Sequence, residues 1–266
     1  MMDSPAVSVE DVTKIFNTKS GAVVALQDIS VTLAAGEFIS LIGPSGCGKS
    51  TLLNIIGGLT SATAGKVLVH GASVTAPPEE AGMMFQKPVL LEWRTILSNV
   101  LLPIELKSGK RESTRHTERA MDLLSAVGLA DFAAKYPHEL SGGMQQRAAI
   151  CRMLISDPQL LLLDEPFGAL DELTREQLNL QLDRIVEGVH KTSILVTHSI
   201  SEGTFLSDRV LVMSARPGRV IGVVDVDLPR PRTLDMMQTG EFLALTNRVR
   251  LLLESGHDFG DEAISA

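Results

Sequence analysis

The chain has 266 residues, 44% of them hydrophobic and 21% charged, which is an ordinary globular composition and enough length to bury a substantial core. A formal net charge of −8 disfavours a protein that binds nucleic acid over its whole surface. The N-terminus lacks a signal-peptide pattern, and no apolar run approaches the roughly 18 residues of a membrane span, so we expect a soluble chain that reaches a membrane only through a partner.

Alternating β-forming residues dominate the first third of the chain. Strands are predicted at residues 6–12, 23–33, 38–43, 65–71 and 81–86. The third of these strands leads into a glycine-rich loop. Residues 49–59 then have the apolar spacing of a helix that ends at Gly57 and Gly58. A strand, a glycine loop and a helix therefore follow one another.

The glycine loop, "GPSGCGKST", fits the pattern G-x-x-x-x-G-K-[ST] from Gly43 to Ser50. Its glycines let successive backbone N–H groups surround a phosphate, to which the helix adds its positive N-terminus. Lys49 is predicted to reach the β- and γ-phosphates, and the Ser50 hydroxyl to join a Mg²⁺ shell. The strand before it and the helix after it disfavour a chance match in a turn.

From about residue 94 to 156 the pattern becomes helical. Helices are predicted at residues 94–106, 115–129 and 144–156, each with a charged outer face. Because strands flank this stretch, it is interpreted as an inserted helical subdomain of roughly 60 residues.

Strands and helices alternate again after the insert. Strands are predicted at residues 159–166, 192–198, 209–214 and 219–228, the last at an edge, with helices at 175–189 and 199–207. Short apolar strands separated by helices indicate a parallel sheet covered on both faces. A final helix at 241–254 has one apolar stripe of Phe242, Leu245, Val249 and Leu252. Packing is preferred over a membrane-surface role because its polar face is not strongly basic.

Two carboxylates end the apolar strand "LLLLDEP". Asp164 falls at the carboxyl edge of the sheet, where open α/β sheets bind ligands, and is predicted to hold Mg²⁺ directly or through water. Glu165 leaves the strand and is predicted to polarise an attacking water. The alternative, a plain polar strand end, is disfavoured by four preceding leucines and by Pro166.

The string "LSGGMQQR" contains a second candidate anion site at a helix start. Ser141, Gly142 and Gly143 expose backbone N–H groups there. An ordinary cap, with Ser141 as N-cap and Gln145 or Gln146 nearby, is the alternative, but it does not explain the paired glycines.

These strings, with "FQ", "FGALD" and "VTHS", resemble in order and spacing the ATPase subunits of ATP-binding-cassette (ABC) transporters, over residues 7 to 230. The resemblance implies an α/β fold of the P-loop NTPase (RecA-like) type. Its mostly parallel sheet core would carry an N-terminal antiparallel β subdomain and the helical insert at 94–156. The expected cassette spans residues 1–230, followed by a short C-terminal helical extension at 231–266.

The family resemblance also implies a head-to-tail dimer. The signature of one subunit faces the phosphate loop of another, so two ATP molecules are sandwiched between two copies. Catalytic roles are implied for Lys49, Gln86, Glu165 and His198, and Mg²⁺ contacts for Ser50, Gln86 and Asp164. The residues predicted to bind ATP are Phe16, Gly43, Pro44, Ser45, Gly46, Cys47, Gly48, Lys49, Ser50, Thr51, Gln86, Ser141, Gly142, Gly143, Gln145 and Asp171.

Two aromatic residues and a cysteine leave alternatives open. Phe16 stands where the family usually has an adenine-stacking tyrosine, and it is read either as a stacking residue or as a core aromatic. Trp93 is read either as core packing or as part of the groove for a membrane subunit. The Cys47 thiol is given no chemistry beyond a possible sensitivity to alkylation. With Cys151 it forms no CxxC pair, which favours a reducing cytosolic compartment.

The branch of the family is indicated by residues 85–100, 164–178 and 213–232, which look like bacterial nitrate, sulfonate and taurine importers. We expect an ATPase that energises uptake of a small anion or related solute at the cytoplasmic face of the cell membrane. Its expected partners are a second copy, a permease and, indirectly, a periplasmic binding protein, with no nucleic acid. The strings "LTR", after Asp171, and "SARPGR…LPRPR" are the main indicators of this branch, and neither is given a contact with the substrate. The alternatives are an exporter ATPase, a cassette acting on DNA or ribosomes, and a GTPase, which lacks an NKxD-like guanine reader here.

Overall fold

Strands and helices alternate through the computed structural model, which describes residues 5–19, 21–168, 170–187 and 191–261. The strands are β1 (Val7–Thr18), β2 (Gly21–Leu33), β3 (Phe38–Ile42), β4 (Ala64–Val69), β5 (Ala72–Ser73), β6 (Ala81–Met84), β7 (Leu160–Asp164), β8 (Thr192–Thr197), β9 (Arg209–Met213) and β10 (Val220–Asp225). The helices are α1 (Lys49–Ile56), α2 (Ile96–Val100), α3 (Leu102–Ser108), α4 (Lys110–Arg115), α5 (Thr117–Ala126), α6 (Gly142–Leu154), α7 (Glu172–Glu187), α8 (Ile200–Leu206) and α9 (Gly240–Asp261). Short 3₁₀ helices lie at Ala130–Phe132, Pro137–Glu139 and Leu234–Gln238.

The predicted antiparallel β subdomain is confirmed. Its sheet has the order β2-β1-β4-β5 among the described strands. Val7 of β1 lies opposite Leu33 on one side and Val69 on the other, in antiparallel registers. The alternating apolar side chains of these strands pack with Leu52 and Leu53 of α1, so the small sheet shares a core with the helix that follows the glycine loop.

The second sheet confirms the predicted, mostly parallel core. Its described strands have the order β10-β9-β3-β8-β7-β6, and neighbouring strands are parallel except at β10 and β9. Strand β8 therefore lies between β3 and β7. The carboxyl ends of parallel strands meet at one edge, so the segments that follow Ile42, Asp164 and Thr197 emerge side by side. This order brings together residues more than 100 positions apart in the chain.

The helical insert lies between β6 and β7 and contains α2 to α6. The single helix predicted at 94–106 is wrong, because the structure divides it at Leu101 into α2 and α3. Pro103 stands in the first turn of α3, where it has no N–H to continue the hydrogen bonding of α2. The domain boundaries drawn from the sequence stay predictions, and residues 1–4 and 262–266 of those domains lie outside the described residues.

The C-terminal helix α9 is confirmed as a packing helix. Phe242, Leu245 and Val249 are buried, and Leu252 packs partly buried against the same core. No helix among the described residues is long and apolar enough to cross a membrane.

Ion pairs and hydrogen bonds from the segment "LPRPR" hold the chain before α9 against the core. Arg230 pairs with Asp183 and donates from Nη2 to Asp208 Oδ1 at 3.0 Å. Arg232 donates from Nη2 to the Ser207 carbonyl at 2.8 Å, beyond the end of α8. Burial lowers the pKa of Arg232 to about 10, which is still high enough to keep it charged at neutral pH.

Candidate functional site

The glycine loop connects β3 to α1. At one position of the loop, the backbone conformation and the space available permit only glycine. Gly48 has φ of +106°, and a Cβ there would lie 2.6 Å from Leu26 Cδ2. The Cys47 N–H donates to the Pro44 carbonyl at 3.3 Å, which curls the loop. The loop therefore fits tightly between the two sheets, with the N-terminus of α1 directed into it.

Lys49 is the first residue of α1 and is only 6% exposed. Its Nζ donates to the Gly43 carbonyl at 2.7 Å and to the Pro44 carbonyl at 3.0 Å, so the side chain folds back over the loop. Cys47 is buried, with its Sγ 3.8 Å from Lys49 Nζ. The sulfur lies inside the loop in this conformation, and the sensitivity of this thiol to alkylation stays a prediction.

A cavity of about 470 Å³ opens above the loop. It is lined by Phe16, Thr18, Val23, Ala25, Ser45, Gly46, Gly48, Lys49, Ser50, Thr51, Glu165 and Arg216. Phe16 is 40% exposed on the wall of this cavity, with Lys14 Nζ 4.9 Å from its ring centroid. The reading of Phe16 as a core aromatic is therefore wrong. An aromatic wall at one end and a phosphate-type loop at the other suit a nucleotide.

Asp164 lies at the carboxyl end of β7, beside the first turn of α1. Ser50 Oγ donates to Asp164 Oδ1 at 2.8 Å. Burial raises the pKa of Asp164 above its ordinary value, while the hydrogen bond from Ser50 acts in the opposite direction. A cation at this carboxylate would favour its ionised form.

The oxygens of Ser50 and Asp164 fit a magnesium ion. Mg²⁺ in nucleotide sites takes few protein ligands, one or two carboxylates or hydroxyls, and completes its shell with water and phosphate oxygens. Among the described residues there is no group of three or more His, Cys, Asp or Glu side chains arranged to hold a metal. The donor set therefore suits an ion that arrives with a phosphate ligand better than a resident structural metal.

Glu165 has an unusual backbone conformation, with φ of +44° for a residue that is not glycine. Its N–H donates to the Val196 carbonyl at 2.8 Å, which anchors it to β8. Non-glycine residues adopt this left-handed region rarely, and those that do cluster at functional sites. The conformation takes the Glu165 side chain out of the strand direction and onto the cavity wall.

Three residues predicted to be catalytic meet at the Glu165 carboxylate. Gln86 Nε2 donates to Glu165 Oε2 at 3.1 Å. His198 Nδ1 lies 3.6 Å from the same oxygen, and its side chain is 56% exposed. Gln86 follows β6 and His198 follows β8, so the sheet order explains why these distant residues converge.

The second helix start, Ser141–Gly143, opens α6 outside this cavity. Ser141 Oγ accepts from the Met144 N–H at 3.3 Å, so the predicted N-cap is confirmed. Gln145 Nε2 donates to the Pro137 and Leu140 carbonyls at 2.9 and 3.3 Å. The same chain therefore does not bring Ser141, its two glycines or Gln145 to the phosphate loop, and their ATP-binding role stays a prediction.

Asp171 also lies away from the cavity lining. Its Oδ1 accepts from the Thr174 N–H at 3.0 Å, so it caps the start of α7. Backbone and side-chain hydrogen bonds with Thr174 lower the pKa of Asp171. The family resemblance also implies that Asp171 lies across the dimer interface, and this stays a prediction.

Sequence reasoning missed two residues of the site. Gln146 is 2% exposed and donates from Nε2 to the Gln86 carbonyl at 3.1 Å, which joins the second helix start to the residue beside Glu165. Arg216 lines the cavity, although its segment was given no role at the nucleotide. The string "LSGGMQQR" marked Gln146 only as a possible cap. Nothing local marks Arg216, because it reaches the loop through tertiary structure.

Trp93 is 75% exposed, so the core-packing alternative for this tryptophan is wrong. It follows the Gln86 segment and precedes α2, on the side of the helical insert. A large exposed aromatic side chain is typical of residues that contact another protein.

Comparisons with known proteins point to one family. Residues 26–168 match the family model described as ABC transporter. The chain is 45% identical over 246 residues to the nitrate import ATP-binding protein NrtC of Synechococcus elongatus, covering 91% of this chain and 37% of NrtC. It is 42% identical over 227 residues to the aliphatic sulfonates import ATP-binding protein SsuB of Bacillus cereus, covering 85% and 88%.

Two further similarities extend this result. The taurine import ATP-binding protein TauB of Roseobacter denitrificans is 44% identical over 216 residues, which is 80% of each chain. A solved dimeric ATP-binding cassette, bound to ADP and Pi in a post-hydrolysis state, superposes with a TM-score of 0.73 at 31% identity. That superposition covers 84% of this chain and 100% of the solved one.

Proposed function

This chain belongs to the ABC transporter family, and we propose that it is the ATP-hydrolysing subunit of an importer that takes up a small anion or related solute. The observation that carries the proposal is the convergence of Gln86, Glu165 and His198 at the edge of the cavity that Lys49 and Ser50 line. A nucleotide cavity bordered by these carboxylate, amide and imidazole groups suits ATP hydrolysis.

ATP binding would use the cavity from end to end. We propose that Phe16 stacks on the adenine, whose flat face a phenylalanine ring can cover. The backbone N–H groups of the loop, the N-terminus of α1 and Lys49 would bind the phosphates. This division follows from the lining, which is aromatic and aliphatic on the strand side and polar at the loop.

The hydrolytic roles are assigned from geometry. Glu165 would accept a proton from the attacking water, since its carboxylate lies on the cavity wall. Gln86 and His198 contact the Glu165 carboxylate region and would position that water and the γ-phosphate. Ser50 and Asp164 would hold Mg²⁺. When bound, Mg²⁺ neutralises negative charge on the phosphates and orients them.

A second copy of the chain would complete the site. The second helix start lies outside the lining of its own chain's cavity, yet it retains a capped helix N-terminus with exposed residues, which suits a phosphate supplied by a partner. We propose the head-to-tail dimer that the family resemblance implies, with Ser141, Gly142, Gly143, Gln145 and Asp171 on the side that meets the other subunit. The similar solved cassette is dimeric, which supports this arrangement.

Import and its substrate class are inferred from relatives. Relatives at 42–45% identity are named for import of nitrate, aliphatic sulfonates and taurine, which are small anionic or zwitterionic solutes. We propose that the chain energises uptake of such a solute through a membrane permease at the cytoplasmic face, with a periplasmic binding protein delivering it. Trp93 would lie on the surface that contacts the permease. The permease and the binding protein would choose the substrate.

Steady-state ATPase measurements on the purified chain test the hydrolytic assignment. We expect Glu165→Gln to bind Mg·ATP normally and to lose activity by at least about 100-fold, because the general base is removed. Glu118→Gln is the matched control, since Glu118 is exposed on α5 and far from the cavity lining. Near-normal turnover by Glu165→Gln would contradict the assignment of Glu165 as the base.

A further inference from the structure

The turn between β9 and β10 packs directly against the glycine loop. A Cβ at Gly218 would lie 2.0 Å from the Cys47 carbonyl oxygen, so the two backbones touch. The Gly218 N–H donates to the Ala25 carbonyl at 3.0 Å, and the Gly218 carbonyl accepts from the Gln27 N–H at 3.0 Å. The turn is therefore bonded to β2 on the wall of the nucleotide cavity.

Internal hydrogen bonds fix the shape of this turn. The Ser214 N–H donates to the Arg219 carbonyl at 2.9 Å. Ser214 Oγ accepts from the Arg219 N–H at 3.1 Å and donates to the Pro217 carbonyl at 3.0 Å. Because the turn is held at both ends, the residue at its tip is presented to the cavity in a defined position.

Arg216 occupies that tip. Its Nε and Nη2 donate to the Gly46 carbonyl at 3.3 and 3.1 Å, so the guanidinium lies against the middle of the glycine loop. Two of its N–H groups thus share one acceptor, which leaves further donors of the guanidinium fork for a ligand. The side chain is exposed and lines the cavity.

Among the residues that the structure describes, no acidic side chain forms an ion pair with Arg216. Within the described residues, no carboxylate oxygen lies within 4.0 Å of an Arg216 nitrogen. The cavity lining contains two cationic residues, Lys49 and Arg216, against one carboxylate, Glu165. A guanidinium held beside a phosphate-binding loop without a carboxylate partner suits a phosphate ligand.

We propose that Arg216 is a second phosphate-binding cation of the nucleotide site, which contacts the phosphates of ATP and ADP while its hydrogen bonds to Gly46 hold the loop. This inference rests on the proposed ATPase function. It also assigns a role to the segment "SARPGR", which joins the edge of the parallel sheet to the nucleotide.

Calorimetric binding of Mg·ATP and Mg·ADP to the full chain tests the proposal with three variants. Arg216→Gln keeps an amide donor for the Gly46 carbonyl but removes the charge, and Arg216→Lys keeps the charge. Arg219→Gln is the control. It removes the same charge three residues away, and the Arg219 side chain does not line the cavity.

We expect Arg216→Gln to weaken the binding of both nucleotides by about tenfold, as for the loss of one charge-assisted contact to phosphate. Arg216→Lys keeps the charge but loses the planar fork, so its affinity should lie between those of the wild type and Arg216→Gln. Arg219→Gln should match the wild type. The affinity of the wild type should also fall more steeply with sodium chloride concentration than that of Arg216→Gln, because one phosphate contact is missing in the variant.

Three results separate the possible failures. Equal affinities and salt dependence for the wild type and Arg216→Gln would overturn the role of Arg216 alone. An Arg216→Lys variant as weak as Arg216→Gln, with unchanged salt dependence, would also overturn it, because the arginine would then only shape the loop. A wild-type chain that binds neither nucleotide would refute the proposed function itself, and the role of Arg216 with it.

Discussion

Two helix starts of this chain share the features of an anion site but differ in how complete they are. The first helix start, Gly43–Ser50, is closed in on itself: a Cβ at Gly48 would collide with Leu26, and Lys49 is bonded to two loop carbonyls. The second, Ser141–Gly143, is open at Gly142, where a Cβ would meet no atom within 4 Å, although a Cβ at Gly143 would lie 3.2 Å from Leu170 Cδ2.

This difference shows what one chain can provide. The first helix start is packed between two sheets and adjoins the cavity. The side chains of Lys49, Asp164 and Glu165 are already in place beside it. The second has its cap but lies outside the lining of that cavity. A closed half-site suits stable binding of ATP, while an open half-site suits a contact that forms only when two chains meet and is lost after hydrolysis.

The largest expected effect comes from blocking the second helix start. Ser141→Arg removes the cap and places a bulky side chain where the partner's phosphate would lie. We expect the affinity of the chain for Mg·ATP to stay within about twofold, because the cavity is untouched. ATPase activity should fall by at least about 100-fold, because the composite site cannot form. Nucleotide titration and phosphate release measure the two quantities.

A matched control separates this effect from general damage to the helical insert. Ser125→Arg makes the same substitution at an exposed serine near the end of α5, and it should leave both quantities unchanged. If Ser141→Arg retained wild-type ATPase activity, the second helix start would have no part in the site, and the comparison would fail.

A smaller effect is expected where the two regions are joined. Gln146 of α6 donates to the Gln86 carbonyl at 3.1 Å, so it links the second helix start to the amide beside Glu165. Gln146→Met keeps the volume and removes this bond, which is worth about 1 kcal/mol. We expect the ATPase kcat to fall about fivefold with unchanged ATP affinity. An unchanged kcat would show that this hydrogen bond between the two regions does not contribute to catalysis.

The smallest effect concerns the stability of the fold where α8 packs beside the end of β8. Glu202 of α8 is 4% exposed, and its Oε1 has no hydrogen-bond partner among the described residues. Burial raises the pKa of Glu202 above 4.5, against the hydrogen bond from Thr197. Its contribution to stability is therefore complete below the unfolded pKa and is lost as pH rises through the folded pKa.

Thermal unfolding of Glu202→Gln, measured against pH, tests this pH-dependent contribution of Glu202 to stability. At neutral pH we expect the variant to melt about 2–4 °C higher than the wild type, since glutamine carries no charge to bury. Below about pH 4 the difference should disappear, because the wild-type carboxyl is protonated in both states. A constant difference at all pH values would point to packing instead of ionisation.

The sequence predicted the first helix start, Gly43–Ser50, and the site residues beside it in detail. The strand, glycine loop and helix around Lys49 form as expected. Ser50 meets Asp164, and His198 meets Glu165, because parallel strands end at one edge. Each of these positions belongs to a local sequence pattern that can be recognised from a few neighbouring residues. The order of the parallel strands then brings these patterns together.

The residues that were missed depend on contacts over long distances. Arg216 reaches Gly46 from 170 positions away, and Gln146 reaches Gln86 from 60 positions away. No periodicity or turn signal records such contacts. The break between α2 and α3 is different, because Pro103 was visible and its missing N–H was the signal. The second helix start was predicted from its own string as a capped anion site, whereas its pairing with another subunit was implied only by the family resemblance.

The mass of the ATP-loaded chain tests the central claim, that a second copy completes the site. Light scattering after gel filtration, on Glu165→Gln with Mg·ATP, should give a dimer of twice 28.6 kDa. The double variant with Ser141→Arg should bind ATP and remain at 28.6 kDa. An ATP-bound Glu165→Gln that stays monomeric, or a double variant that dimerises equally well, would contradict the account.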